Sequence, residues 1–394
     1  MPVAGRLVGL IRDGLPAGET VGVALSGGGD STALLHLCLR AGLRVEAVTV
    51  DHRLRPESAD EAVSVGAMCA ALGVRHEIRI WEHGVVPGNL MDQARRARIG
   101  LIADWARSRG IGVVALGHSR DDVAETFLMG LGRAAGLGGL SGLRRDWEDG
   151  GVRFHRPLLD AGREELRAWL RSQGIAWVDD PTNENDRFAR TRARKALVAL
   201  GPLGISAERL ATVAGNLARV QDALAEQVAA ARCSVEERAG ALRFDAGLWS
   251  APAEVQRQVM GAALTWLSGA DYVPRAAEVE RMRAALATGR DATLAGCRAR
   301  RGWLMREPRA VGGPRPVGQV WDGRWLVEGP VAEVRALAAE GMRQLKDWRK
   351  AGLPREVLLV TPGVWQGETL LAAPAAGLSA EWQARLQSPF TISR

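Results

Sequence analysis

Between a short apolar run, Thr20–Leu25, and a helical pattern stand Ser26-Gly27-Gly28-Gly29-Asp30-Ser31. These residue types suit holding a polyphosphate; the competing reading is a Gly-rich turn with an N-cap serine. Glycines let the backbone approach an anion closely and adopt positive φ. The following helix turns unsatisfied N–H groups and its positive end back on the loop, and Ser26 and Ser31 add hydroxyls. Together they read as a phosphate cradle. The pattern is neither G-x-x-x-x-G-K-S/T nor G-x-G-x-x-G, and no Gly-Lys pair occurs in the chain. Asp30 would repel a polyphosphate unless a cation lay between them. Mg²⁺ takes one or two carboxylates plus phosphates, so Asp30 is the expected metal ligand. The competing reading is an acidic first-turn residue that serves the helix dipole.

Three further groups could act beside such a loop. Asp122 and Glu125 lie i,i+3 on one predicted helix, so their carboxylates are neighbours. Two carboxylates make a site for an ammonium and could take its proton as it attacks; alternatively they form a solvated acidic helix start capped by Ser119 or Asp121. Arg95 and Arg98, and again Arg190 and Arg194, offer positive charge to a phosphate chain. The second pair could instead touch an RNA backbone, and each pair could be a plain surface feature. His52 and His118 have no third ligand at metal spacing, and read as hydrogen-bonding groups near a nucleotide.

These residues need a scaffold, and the first 180 or so residues offer one. Strand-type runs at Thr20–Leu25, Arg44–Val50, Arg75–Ile80 and Gly112–Leu116 alternate with helical runs at Ser31–Ala41, Ser58–Leu72, Gln93–Arg109 and from Asp121. The rhythm predicts an α/β fold, a doubly wound parallel sheet covered by helices on both faces. The loop, Asp51-His52 and His118 all fall at the carboxyl ends of strands, where such sheets bind ligands. Residues 1–200 are expected to be the catalytic domain, closed by a polar and then basic stretch from Asp179 to Lys195. Residues 206–330 read as mostly helical, with short strands at Ala292–Leu294, Gly302–Met305 and Trp325–Glu328. Residues 331–394 read as a small α+β domain, with a helix over Ala332–Trp348 and a β-unit from Glu356–Val360 and Thr369–Ala372.

Taken in order, the motifs carry a resemblance. S-G-G-x-D-S at Ser26–Ser31 resembles the PP-loop of ATP pyrophosphatases of the adenine nucleotide α-hydrolase-like fold, which transfer AMP to a carbonyl oxygen. Behind it stand Asp51-His52-Arg53-Leu54-Arg55-Pro56-Glu57-Ser58, Asn89 to Arg98, Gly117-His118-Ser119-Arg120-Asp121-Asp122-Val123-Ala124-Glu125-Thr126, Asp180-Pro181-Thr182-Asn183 and the basic run Arg187 to Lys195. This set resembles the tRNA(Ile)-lysidine synthetase family, densely over residues 20 to 195 and weakly beyond, where Arg355–Ala372 is similar to the family's last β-element. The sequence departs from the family pattern at four places. Arg53 stands for the glycine of D-H-G-L-R, Ile99 for a tyrosine, Ala134 for one glycine of the Gly-rich stretch Met129–Leu143 that holds Gly136, Gly139 and Gly142, and Thr191 for an asparagine.

The resemblance implies an ATP-dependent carbon–nitrogen ligase. ATP adenylates the base carbonyl at carbon 2 of the wobble cytidine in a CAU-anticodon tRNA(Ile); free lysine then displaces AMP, giving lysidine and changing codon recognition from AUG to AUA. It implies catalytic roles for Asp30, Arg95, Asp122 and Glu125. ATP would be bound by Ser26, Gly27, Gly28, Gly29, Asp30, Ser31, Asp51, His52, His118 and Arg190, with Mg²⁺ on Asp30. Lysine would be held by His118, Asp122 and Glu125.

Charge and composition fit an RNA partner. The net charge is +7 and the pI about 10, nearly all of it arginine, which favours phosphates and base planes. Arg190, Arg194 and the cluster of Arg343, Lys346, Arg349 and Lys350 around Trp348 are the expected tRNA contacts. The competing readings are another PP-loop tRNA-modifying enzyme such as a thiolation enzyme, a GMP or NAD synthetase, and a non-catalytic RNA-binding protein. Sulfur relay would want paired cysteines, and Cys38, Cys69, Cys233 and Cys297 form no C-x-x-C. No run approaches a membrane span. Met1–Ile11 lacks a signal peptide's layout, its short apolar stretch being broken by Arg6, so the expected location is cytoplasmic and no membrane partner is expected. A homodimer remains open.

Overall fold

The computed structural model describes residues 3–53, 58–83, 90–178, 189–379 and 381–392. The chain divides into two compact units, residues 1–221 and 222–394. The first unit carries α1 (Val3–Gly14), β1 (Thr20–Ala24), α2 (Gly29–Arg40), β2 (Arg44–Asp51), α3 (Ser58–Ala71), β3 (Arg75–Ile80), α4 (Leu90–Ser108), β4 (Val113–Leu116) and α5 (Arg120–Leu131). There follow α6 (Leu137–Leu140), β5 (Asp146–Asp149), β6 (Val152–His155), α7 (Arg163–Ser172) and α8 (Ala189–Leu200), and α9 (Ala207–Ala230) crosses the unit boundary.

The sheet order is β3-β2-β1-β4-β6-β5, parallel throughout except for the last pair. Alternation of side chains across the pleat sorts the core into two layers. Val21 and Val23 of β1, Val113 and Ala115 of β4 pack with Leu7 and Ile11 of α1, Leu34 and Leu37 of α2 and Leu166 of α7. Ala24, Val114 and Leu116 face the other way, onto Ile102, Trp105 and Ala106 of α4. Gly22 sits in mid-strand because a Cβ there would lie 2.9 Å from both the Trp105 ring and Val114. The expected strands and helices of this unit are all present. A hairpin that periodicity had not revealed, β5–β6, closes the sheet edge through Gly150 and Gly151, both at positive φ.

The second unit holds β7 (Val235–Arg238), β8 (Ala241–Phe244), α10 (Ala246–Ser250), α11 (Ala253–Ser268), α12 (Ala276–Ala287), β9 (Ala292–Leu294), β10 (Cys297–Arg300), β11 (Trp303–Arg306), β12 (Arg315–Pro316), β13 (Val320–Trp321) and β14 (Trp325–Glu328). It ends with β15 (Glu333–Ala336), α13 (Ala338–Gln344), α14 (Arg355–Leu358), β16 (Pro362–Gln366), β17 (Thr369–Ala372) and β18 (Gln383–Leu386). Its sheets run β7-β8-β11-β10-β9, β12-β15-β16-β17 and β13-β14-β18.

Three readings of this region need correction. The stretch expected to be mostly helical contains the β7–β8 hairpin; Val235, Leu242 and Phe244 are buried from its alternating pattern, and Ala239 and Gly240 at positive φ make the turn. The helix expected over Ala332–Trp348 begins as β15, since Val334 pairs with Val364 and is buried, and only Ala338–Gln344 is helical. The strand expected at Glu356–Val360 is instead the short helix α14, started after Pro354, and the strand follows as β16. Among the described residues no single helix is long and apolar enough to cross a membrane.

Candidate active site

The site is built where β1 and β4 end. Gly27 takes φ +79°, and its carbonyl accepts from Thr32 Oγ1 at 3.3 Å and from the Val178 N–H at 3.0 Å. Ser31 Oγ lies 3.1 Å from Ser26 Oγ and donates to the Gly28 carbonyl at 3.0 Å. The loop is thereby folded over the first turn of α2. Gly117, at the end of β4, lets two backbones meet: a Cβ there would stand 2.7 Å from Ser31 Cα. The loop and the start of α5 are consequently side by side.

That proximity joins residues far apart in the chain. Ser119 Oγ lies 3.1 Å from both Asp30 Oδ2 and Asp122 Oδ2, and its N–H donates to Asp122 Oδ2 at 2.9 Å. Arg163, the first residue of α7, donates through Nε to Asp30 at 3.2 Å, through Nη2 to Asp122 at 3.2 Å and through Nη1 to Glu125 at 2.6 Å. Arg194 Nε donates to the same Glu125 oxygen at 2.6 Å. Asp122 and Glu125 are 6% and 0% exposed, so they are not a solvated helix start. Asp30 Oδ1 and Glu125 Oε2 are buried with no hydrogen-bond partner among the described residues.

The electrostatics follow from this packing. Burial raises the Asp30 carboxyl above its usual range, opposed by Arg163. Burial would also raise Asp122, but the charges of Arg163 and Arg190 and the Ser119 N–H bond outweigh it and hold that carboxyl below its usual range. His118 is pushed down to about 3 by burial and then by the Arg156 guanidinium, whose Nε donates to His118 Nδ1 at 3.2 Å. The imidazole is neutral at working pH, with its proton on Nε2. Arg156 is itself brought down to about 10 by burial and next by the charge of Arg95; it stacks 4.1 Å over the Trp147 ring and donates to the Arg144 carbonyl. Half-buried Arg98 is lowered by burial and by the charges of Arg190 and Arg95. Thus His118 feels the positive charges of Arg156, Arg98 and Arg190 and the negative charge of Asp122.

Asp51 closes β2, accepting from the Arg53 N–H at 2.8 Å and Ser58 Oγ at 2.7 Å. Next to it, the His52 pKa is lowered by burial and by Arg98, and its Nδ1 has no partner among the described residues. The expected groups Ser26–Ser31, Asp51, His52, Arg95, Arg98, His118, Asp122, Glu125, Arg190 and Arg194 therefore belong to one unit. Arg343, Lys346, Arg349 and Lys350 belong to the other and are exposed. Leu54 to Glu57, Asn89, Asp180 to Asn183 and Arg187 lie outside the described residues. Periodicity and motif spacing missed Arg163 and Arg156. One signal for Arg163 was present: a cation at the first position of a helix, against the dipole.

Residues 4–200 match the model of the PP-loop domain family. A curated tRNA(Ile)-lysidine synthase from Ruegeria pomeroyi is 44% identical over 382 residues, covering 93% of this chain and 91% of the relative. The enzyme of that name from Brucella anthropi is 32% identical over 397 residues, covering 91% and 86%. Among solved structures, the U34-tRNA thiolase from Methanococcus maripaludis aligns with a TM-score of 0.48 and 18% identity over 55% of this chain and 78% of that one.

Proposed function

The chain belongs to the tRNA(Ile)-lysidine synthase family, and from that premise we propose that its buried carboxylate–arginine centre joins lysine to a tRNA cytidine in a reaction driven by ATP. The chain is an ATP-using ligase of the PP-loop type that acts on tRNA(Ile). The single observation that carries the assignment of roles is the gathering of Asp30, Asp122 and Glu125 on one guanidinium beside the phosphate loop.

In the first step the C2 carbonyl oxygen of the wobble cytidine attacks the α-phosphorus of ATP. The bond to the β-phosphate breaks and pyrophosphate leaves. Gly27 to Ser31 hold the outer phosphates, with N–H groups of the α2 start directed to them. Arg95, Arg98, Arg156 and Arg190 set the positive field in which charge moves onto the leaving group. Neutral His118 offers its Nε2–H to an oxygen of the nucleotide.

In the second step Asp122 and Glu125 hold the lysine ε-ammonium, and Glu125, whose Oε2 has no partner among the described residues, takes one of its protons. The freed amine attacks C2, and the bond from C2 to the AMP oxygen breaks. The pull of Arg163 on Asp122 favours the charged form, so Asp122 is suited to binding a cation and is a weak proton acceptor.

Asp30 fits a magnesium ion as one carboxylate contact, because its Oδ1 is buried without a partner among the described residues. The geometry tempers the sequence argument, since Arg163 already supplies a cation at Oδ2. No group of three metal-binding side chains occurs among the described residues; a magnesium ion would arrive on the ATP phosphates and there shield their charge. The thiolation alternative loses support from the cysteines. Burial pushes the Cys38 thiol up to about 12 and those of Cys69 and Cys297 to about 11, and Cys233 stands exposed and alone. The test is direct: with ATP, labelled lysine and a CAU-anticodon tRNA(Ile) transcript, label enters the RNA and AMP and pyrophosphate appear. Pyrophosphate release with no label in RNA would refute the amine half of the reading.

A further inference from the structure

We propose that Arg163 is a positioning residue that ties the phosphate-loop carboxylate Asp30 to the amine-holding carboxylates Asp122 and Glu125, so that ATP and lysine meet one prearranged set of charges. The proposal rests on the reading of Asp122 and Glu125 as the lysine site.

The geometry is more than an arginine needs for burial alone. Nε, Nη1 and Nη2 each serve a different carboxylate, one from α2 and two from α5. A single bidentate carboxylate would engage only two of the five N–H donors, whereas here every nitrogen reaches a carboxylate of its own. The placement also works against the local chain, because a cation at the start of α7 opposes the helix dipole. Asp121 compensates by accepting the Arg163 N–H at 2.7 Å, which fixes the backbone from which the side chain reaches inward.

The oxygens left over are informative. Both Asp122 oxygens are engaged, whereas Asp30 and Glu125 each keep one buried oxygen that has no partner among the described residues. One such oxygen lies at the phosphate loop and the other at the amine site, and the same guanidinium holds the second oxygen of each. Two guanidiniums, Arg163 and Arg194, face three carboxylates. Without Arg163 the three carboxylates would repel one another in a buried place, and the two free oxygens would lose their fixed relation.

The experiment uses the full chain with two readouts. Pyrophosphate release with ATP and tRNA but no lysine reports the phosphate side; the lysine KM of the complete reaction reports the amine side. Arg163→Gln is expected to lower kcat/KM for lysine on the order of a hundredfold and to slow lysine-free pyrophosphate release as well. Arg163→Lys keeps the charge at one point only, so it recovers pyrophosphate release better than the lysine KM. Native values of both readouts in Arg163→Gln, even with a lowered melting temperature, would overturn the proposal. Should Arg163→Gln fail to fold, a native lysine KM in Arg163→Lys does the same. Asp122→Asn separates the two failures. An unchanged lysine KM there removes the amine site itself, whereas a raised KM there beside a native Arg163→Gln removes only the coupling.

Discussion

The two units carry their charge in opposite ways. In the first, Asp30, Asp122, Glu125 and Arg163 are withdrawn from water, and each is defined by the others at 2.6 to 3.2 Å. In the second, Arg343, Lys346, Arg349 and Lys350 are exposed. Lys350 pairs with Asp347 within its own turn, and Arg349 lies 4.8 Å over Trp348. Buried charges interact strongly and tolerate no missing partner; exposed ones are weak singly, screened by salt and additive against a polyanion. Under the proposed function the first set would carry the chemistry and the second would dock RNA.

The largest effect belongs to the phosphate loop. Asp30→Ala is expected to reduce turnover on the order of a thousandfold, measured as AMP formation with saturating ATP, lysine and tRNA. Full activity would detach Asp30 from the reaction. Next comes Glu125→Gln. It leaves Arg163 and Arg194 facing a neutral amide, so stability should drop by about 3 kcal/mol and the lysine KM should rise. A destabilised variant with a native lysine KM would make Glu125 a structural acceptor only.

His118 sharpens the contrast through pH. Its folded value, near 3, lies below the ordinary 6.5. As pH falls from 6.5 to 3 the unfolded chain takes up a proton that the folded chain refuses. Stability is therefore lost in that window, by up to about 1.4 kcal/mol per pH unit. His118→Gln should flatten this part of the stability–pH curve, read by denaturant unfolding at stepped pH. The exposed cluster predicts a smaller effect of another kind. Replacing Arg343, Lys346, Arg349 and Lys350 with alanine should weaken tRNA binding and flatten its salt dependence, by roughly 0.7–0.9 in log–log slope for each phosphate that is no longer neutralised. An unchanged slope would move RNA docking elsewhere.

The same contrast explains what the sequence made legible. The first unit is a repeating strand–helix alternation whose candidate site residues cluster at strand ends, so the elements and the place of the site could be read from spacing, while the residue roles came with the family resemblance. Asp51 ends a strand, and the phosphate loop, His52 and His118 each come just after one. Arg163 could not be read in that way. It lies 133 residues from Asp30 and 38 from Glu125, and nothing in local periodicity links a helix start to carboxylates on two other helices. In the second unit the strands are short, and several pair with strands distant in the chain. Glu333–Ala336 and Val235–Arg238 carry alanine, glutamate and arginine, residues that suit helices, and it is pairing with β16 and β8 that makes them strands.

Two departures from the family pattern meet in one backbone observation. Arg53 and Ala134, which stand where the resemblance expects glycine, both have φ +50°. The backbone asks for a left-handed conformation at each, and a side chain with a Cβ resists it. Ala134 follows α5, the helix that presents Asp122 and Glu125, yet carries no charge. Ala134→Gly should therefore relieve strain and raise stability by about 0.5–1 kcal/mol, seen as a higher denaturation midpoint, while the lysine KM and the salt slope of tRNA binding stay native. A changed lysine KM would mean that the turn after α5 shapes the amine site through its backbone. Placement of charge would then be only part of what separates the two units.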